Sequence, residues 1–233
     1  MHLLLPAAGV GRRMGSDRNK LLMMLSARPI LAWTLQAAVD SSIEWIGIIC
    51  QPVDRPDIEA MVQPLTDEMK RVGMAKPIEF IQGGDTRQQS VYNGLQALPA
   101  EATHVLIHDG ARCLATPELF NRCAQAAAKT QGFIAAVPVK DTIKQVDDQR
   151  MITHTPDRSQ LWAAQTPQGF EVALLKQCHD RGQAEGWQVT DDAALLEKCG
   201  VPVSIVEGEE TNLKVTTPVD LAIAQFILQQ RDL

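Results

Sequence analysis

His2-Leu3-Leu4-Leu5-Pro6-Ala7-Ala8-Gly9-Val10-Gly11-Arg12-Arg13-Met14-Gly15-Ser16-Asp17-Arg18-Asn19-Lys20 is the stretch whose reading decides the fold. Leu3 to Leu5 form a short apolar run suited to a buried strand. Small residues follow, Ala7, Ala8, Gly9, Gly11 and Gly15, interleaved with Arg12, Arg13, Arg18 and Lys20. Small side chains let a backbone approach a ligand and present its N–H groups. Arg and Lys add charge suited to phosphate. The stretch therefore predicts a phosphate cradle at the carboxyl end of a first strand. A Gly-rich βα turn with solvated charges is the plain alternative. Two common cradles do not fit: no window matches Gly-x-x-x-x-Gly-Lys-Ser/Thr, and Met14 stands where Gly-x-Gly-x-x-Gly needs its third glycine.

Outward from this loop, strand-like and helix-like segments alternate, the pattern of a mostly parallel sheet covered on both faces. Strands are expected at Ile43–Cys50, Ile78–Ile81, His104–Ile107, Phe133–Val139, Leu161–Ala164 and Val201–Val206. Helices are expected at Ile30–Val39, Thr86–Leu98, Pro117–Lys129, Val172–Asp180, Asp191–Cys199 and Pro218–Gln229. In the last but one of these, Thr190 is the expected N-cap and Gly200 the stop. Asp54 to Val72 is also helix-like, with Pro64 expected to kink or divide it. Residues 140–160 break the rhythm. They are polar, with a hairpin signal at Thr142–Val146 and Met151–Thr155. An isolated two-stranded hairpin is marginal in water, so this one is expected to pack on a second subunit. The expectation is one domain over 1–233, with a β-arm at 139–160.

Bulk properties narrow the function. At 233 residues and net charge −6, the chain is a poor general nucleic-acid binder, and four cations gathered at 12–20 stand out against that background. The start lacks a basic n-region and a small-residue cleavage site, so no secretory signal is expected. No apolar run reaches the length of a membrane span. The five cysteines are odd in number without Cys-x-x-Cys spacing, as for free structural thiols in a reducing cytoplasm. His104, His108 and His154 have no metal-site spacing and are expected to be structural.

Unusual residues cluster where strands are expected to end, which is where open α/β sheets bind ligands. These clusters are the Gly/Arg loop, Gly83-Gly84-Asp85-Thr86-Arg87-Gln88-Gln89-Ser90, His108-Asp109-Gly110-Ala111-Arg112 and Thr211-Asn212-Leu213-Lys214-Val215-Thr216.

Gly9-x-Gly11-x-Arg13-Met14 followed by Lys20 resembles the signature loop of nucleotidyltransferases. With Gly84-Asp85-x-Arg87-x-x-Ser90, His108–Arg112, Asp141–Lys144, Asp157-Arg158, Gln165-Thr166-Pro167-Gln168, Thr190-Asp191-Asp192-Ala193 and Asn212–Thr216, the chain is similar throughout to the 2-C-methyl-D-erythritol 4-phosphate cytidylyltransferase family. The resemblance implies a Rossmann-like nucleotidyltransferase fold, α/β and three-layered, with a protruding β-arm. It implies a CTP-dependent step of non-mevalonate isoprenoid synthesis, with Mg2+ as the divalent cation. It implies a cytoplasmic homodimer (or one in the plastid stroma of a eukaryote) with arm exchange and shared active sites, and no nucleic-acid or membrane partner. Pro6, Ala7, Ala8, Gly9, Gly11, Arg13, Lys20, Gly84, Asp85 and Ser90 would bind the nucleotide. Ser90 has packing as its rival role. Asp109, Arg112, Thr142, Arg158, Thr166, Thr190 and Lys214 would bind the polyol phosphate. Asp109 would also assist the metal, directly or indirectly. Arg13, Lys20, Arg158 and Lys214 would serve catalysis.

Two departures are noted. Cys113 replaces the family's usual Pro, and Gly110 its common Ala. A cytidylyltransferase for another polyol phosphate, such as ribitol 5-phosphate, is the nearest alternative. A sugar-nucleotide glycosyltransferase would want Asp-x-Asp at a strand end, which Asp109-Gly110-Ala111 does not supply. A non-enzymatic nucleotide binder would be expected to lack some of the four cations.

Overall fold

A computed structural model describes residues 1–9 and 19–231. Gly11, Arg13 and the rest of 10–18 lie outside the described residues. A seven-stranded sheet is built from β1 (His2–Pro6), β4 (Trp45–Cys50), β5 (Ile78–Gln82), β6 (His104–Ile107), β7 (Gly132–Pro138), β10 (Trp162–Glu171) and β11 (Ser204–Glu207). Their order is β11-β7-β10-β6-β1-β4-β5. Only β10 runs against the others, pairing antiparallel with β6 and β7. The remaining strands point one way. Strand order reverses at β1, which pairs with β4 on one side and β6 on the other.

The period-2 alternation of buried strands sorts the core into two layers. Leu3 and Leu5 face one way, onto α1 (Ile30–Val39), α2 (Arg55–Arg71), α4 (Pro117–Ala127) and α7 (Pro218–Arg231), through Leu31, Leu35, Ile58, Val62, Phe120 and Leu228. Leu4 faces the other way with Val105 and Ile107. There it meets α3 (Arg87–Gln96), α5 (Val172–Ala184) and α6 (Ala193–Lys198) through Val91, Leu95, Leu175, Leu195 and Leu196. The architecture is the expected three-layer α/β sandwich.

Several local expectations need correction. Pro64 does not divide α2, which runs unbroken. An interior proline costs about 3 kcal/mol. Burying Ile58, Val62 and Met69 recovers roughly 1.5–3 kcal/mol each, and the Pro64 ring itself faces solvent. Thr190 does not cap α6; Asp192 occupies that place and Thr190 is exposed. The strand expected at Leu161–Ala164 extends to Glu171 as β10, with a register shift between Ala164 and Gln168. The strand expected from Val201 begins only at Ser204. A small hairpin missing from the expectations, β2 (Met24–Leu25) and β3 (Arg28–Pro29), precedes α1.

The hairpin of the arm is present as β8 (Gln145–Val146) and β9 (Ile152–His154). Residues 140–155 are exposed throughout, including Val146, Met151 and Ile152. The five cysteines are free thiols. Burial pushes the Cys113 and Cys123 thiols up to about 12, so they stay protonated. Among the described residues, no helix is long and apolar enough to cross a membrane.

Candidate active site

The parallel strands β1, β5 and β6 end on one edge of the sheet, and each is followed by one of the unusual clusters. The loop after β1 is pinned at its described ends. Ala7 donates its N–H to the Ile49 carbonyl at 2.7 Å. Buried Asn19 donates to the Ala7 carbonyl at 2.7 Å and to the Asp54 carboxylate at 3.0 Å. Pro6, Ala7, Ala8 and Gly9 follow the strand edge into the loop, and a side chain at Gly9 would meet nothing within 4 Å. Lys20 reaches the opposite end of the chain, donating to the Val215 carbonyl at 2.7 Å.

After β5 the chain turns through Gly83–Thr86 into α3. Thr86 is the N-cap, its hydroxyl accepting from Gln89 N–H. Ser90 is 3% exposed; its hydroxyl accepts from Gly84 N–H at 3.0 Å and donates to the Thr86 carbonyl at 2.9 Å. Ser90 thereby shapes the loop that presents Gly84 and exposed Asp85.

Asp109 follows β6 and is the electrostatic centre of the site. Lys214 Nζ lies 2.7 Å from its carboxylate, Arg87 Nε 3.7 Å and Arg112 Nε 3.9 Å. Burial alone would raise this carboxyl. The Lys214 ammonium and the two guanidiniums overcome it and hold Asp109 down at about 2. Arg87 is shared with a second carboxylate, that of Asp192, so three cations here face two anions. Lys214 gets there because the segment after β11 crosses back over the strand ends, Val215 N–H meeting the Ala111 carbonyl at 2.9 Å. Arg112 donates to the Asn212 carbonyl at 2.7 Å.

Arg87 extends the cluster inward and was missed as a site residue, although its motif was visible. Its Nη1 lies 2.8 Å from the Asp192 carboxylate, which is 1% exposed. Burial opposes the charge on Asp192, and Arg87 outweighs it, keeping that carboxyl below its ordinary value. His179 Nε2 stands 3.7 Å from the same carboxylate. Thr190, two residues before Asp192, is exposed.

Thr166 lies beside Asp109 across the β6–β10 ladder. Its hydroxyl contacts Asp109 N–H at 3.0 Å and His108 Nδ1 at 3.1 Å. Its carbonyl accepts from Asn212 Nδ2 at 2.8 Å. Thr142 and Arg158 are on the arm instead and exposed; Arg158 donates to the Lys140 carbonyl at 2.9 Å. Among the described residues, no hydrogen bond or ion pair ties either of them to Asp109. Nor do the described residues bring three His, Cys, Asp or Glu side chains together as metal ligands. With its carboxylate claimed by three cations, Asp109 does not fit the part of a resident metal ligand.

The charge arrangement predicts an acid limit to stability. Burial pulls the His108 ring down to about 4 from an ordinary 6.5. Below 6.5 the unfolded chain takes up a proton that the folded ring refuses until about pH 4, so stability falls as pH drops through that window. The Asp109 cluster is lost lower, between its ordinary 3.8 and about 2. In urea unfolding, the wild type should lose about 2 kcal/mol more than His108→Asn between about pH 7.5 and about pH 5. Equal losses in the two proteins would contradict this assignment.

Comparison with known proteins places this geometry. The family model for 2-C-methyl-D-erythritol 4-phosphate cytidylyltransferase, IspD, matches residues 1–230. The chain is 66% identical to the protein of that name from Microcystis aeruginosa over 232 residues, covering 99% of this chain and 100% of the relative. It is 67% identical to the one from Acaryochloris marina, covering 99% and 95%. Among solved structures, the 4-diphosphocytidyl-2C-methyl-D-erythritol synthase of Anaerococcus prevotii superposes with a TM-score of 0.84 at 31% identity, covering 98% of this chain and 97% of that one. The Thermus thermophilus cytidylyltransferase gives 0.76 at 31% identity, covering 97% and 98%. The chain belongs to the 2-C-methyl-D-erythritol 4-phosphate cytidylyltransferase family.

Proposed function

We propose that this protein transfers a cytidylyl group from CTP to 2-C-methyl-D-erythritol 4-phosphate in non-mevalonate isoprenoid synthesis. The products are 4-diphosphocytidyl-2-C-methyl-D-erythritol and pyrophosphate. The observation that carries the reading is the cation-ringed Asp109 at the carboxyl edge of the sheet, in a chain of this family. A substrate phosphate oxygen attacks the α-phosphorus of CTP in line. A P–O bond to the polyol phosphate forms as the bond to the β-phosphate breaks, and pyrophosphate leaves. The nucleophile is already an anion at neutral pH, so the protein needs no strong base. Its work is to hold two anions together and offset the charge that develops at phosphorus.

Within that scheme Lys20 and Arg13 face the triphosphate, with Arg13 outside the described residues. Gly84, Asp85 and the loop that Ser90 shapes receive the nucleoside. Lys214 presents the attacking phosphate, and Asp109, Thr166 and Thr190 line the polyol side, with Arg112 behind Asp109. Mg2+ would enter as the counter-ion of CTP. The ribitol 5-phosphate alternative gains no support, since the relatives matched carry the methylerythritol name.

The chain forms one nucleotidyltransferase domain over 1–233, with an arm at 139–160. Thr142 and Arg158 sit on that exposed hairpin, and Val146, Met151 and Ile152 leave its apolar side uncovered. A homodimer in which the arm reaches the neighbour's site covers that surface and brings Arg158 to the substrate phosphate. Free thiols agree with a cytoplasmic setting.

Pyrophosphate release from CTP and Mg2+ across a panel of polyol phosphates tests the activity. Release is expected with methylerythritol phosphate and is lost on chelation of Mg2+. Release with ribitol 5-phosphate alone would overturn the substrate assignment. For the arm, Met151→Asp with Ile152→Asp should convert a dimer to monomer in sedimentation and abolish turnover. A wild-type protein that sediments as a fully active monomer would rule out shared sites.

A further inference from the structure

His108 is invisible to the mechanism above, yet its ring is fully buried directly behind Asp109. It packs edge-on against Phe120, with ring centroids 4.9 Å apart. Both ring nitrogens have partners. Nε2 faces the Arg112 carbonyl at 3.3 Å, and Nδ1 faces the Thr166 hydroxyl at 3.1 Å. A carbonyl can only accept, so a neutral ring must carry its proton on Nε2. Nδ1 is then a bare lone pair, and the Thr166 hydroxyl must donate to it. The same hydroxyl oxygen accepts the Asp109 N–H at 3.0 Å. A hydroxyl has one proton and two lone pairs. Thr166 therefore keeps one lone pair and no proton for a ligand.

We propose that His108 is a positioning residue that makes Thr166 an acceptor-only group, so that Thr166 reads a hydroxyl of the polyol substrate and not its phosphate. A phosphate monoester is largely a dianion at neutral pH, with acceptor oxygens only. It cannot bond to a hydroxyl whose proton is already committed. A polyol hydroxyl can donate to the remaining lone pair. The chain Arg112 carbonyl, His108, Thr166, Asp109 N–H also ties the Asp109 peptide to the buried part of β10, and Asn212 clamps Thr166 from its carbonyl side. One imidazole thus orients both polar groups on the polyol side. The inference rests on the reading that Thr166 lines the polyol phosphate site.

Steady-state kinetics with four variants tests it. His108→Phe keeps an aromatic ring and removes both nitrogens. Thr166→Val removes the hydroxyl at constant shape. Each is expected to raise KM for the polyol phosphate about tenfold, with KM for CTP within about twofold, as for one lost hydrogen bond to a ligand. The double variant should be no worse than Thr166→Val alone, because the two act in series. His108→Asn, whose amide oxygen can replace Nδ1 as acceptor, should recover part of the loss seen in His108→Phe. Among polyol phosphates lacking one hydroxyl each, one should bind wild type and Thr166→Val equally. Nitrogen-15 NMR of histidine-labelled wild-type enzyme should show the His108 Nδ1 unprotonated, a readout that holds even where His108→Phe does not fold.

A protonated Nδ1, losses that multiply in the double variant, or a penalty shared equally with CTP overturns the proposal. So does a Thr166→Val penalty that persists with every deoxy analogue. If Thr166→Val alone leaves the polyol KM untouched, the subsite reading itself fails. If Thr166→Val raises it and a folded His108→Phe does not, only the role of His108 fails.

Discussion

A nearly buried carboxylate held among three cations is the constraint on which the active edge of this molecule depends. Asp109 comes from the end of β6, Arg87 from the first turn of α3, Arg112 from the turn beyond Asp109, and Lys214 from the segment after β11. Three separate parts of the chain meet there. Charges out of water carry a large desolvation cost, so removing one member of such a group leaves the others uncompensated. The cluster therefore locks the sheet edge into one arrangement.

Around this centre the polar groups are arranged in tiers. Asp192 anchors Arg87 from beneath, Asn212 and the Thr166 carbonyl hold the β10 side, and His108 sets the hydroxyl of Thr166. Lys20 connects the opening loop to the strand of chain that carries Lys214. The opening loop and the segment that carries Lys214 are thus joined at the carboxyl edge of the sheet. For in-line transfer between two anions, that is the physical requirement: fixed cations, fixed distance and no reorganisation at the moment of reaction.

Much of this was legible in the sequence, for identifiable reasons. The buried runs Leu3–Leu5 and Val105–Ile107 announce parallel strands because strands covered on both faces need no polar alternation. The clusters after them stand out because glycine and cations at a strand end serve no core. Other features were hidden because they are long-range. Arg87 looked like a motif member, since nothing local shows that Asp109, 22 places later, and Asp192 lie on either side of it. His108 looked like an ordinary core histidine until Thr166, 58 residues on, was placed against it. Thr190 looked like a cap from its residue type alone, while the backbone put Asp192 in that position. The fate of Pro64 was decided by burial on the opposite face of α2, which a proline rule read locally cannot weigh.

The central claim is that Asp109 organises the polyol half of the site through its cations while the nucleotide half is built separately. Asp109→Asn keeps the shape and removes the charge, so it isolates that claim. Steady-state kinetics of this variant should show KM for methylerythritol phosphate raised more than about tenfold and KM for CTP changed less than about threefold, as for loss of a charge-assisted contact on one substrate only. Equal effects on both substrates, or no effect on either, would contradict the account.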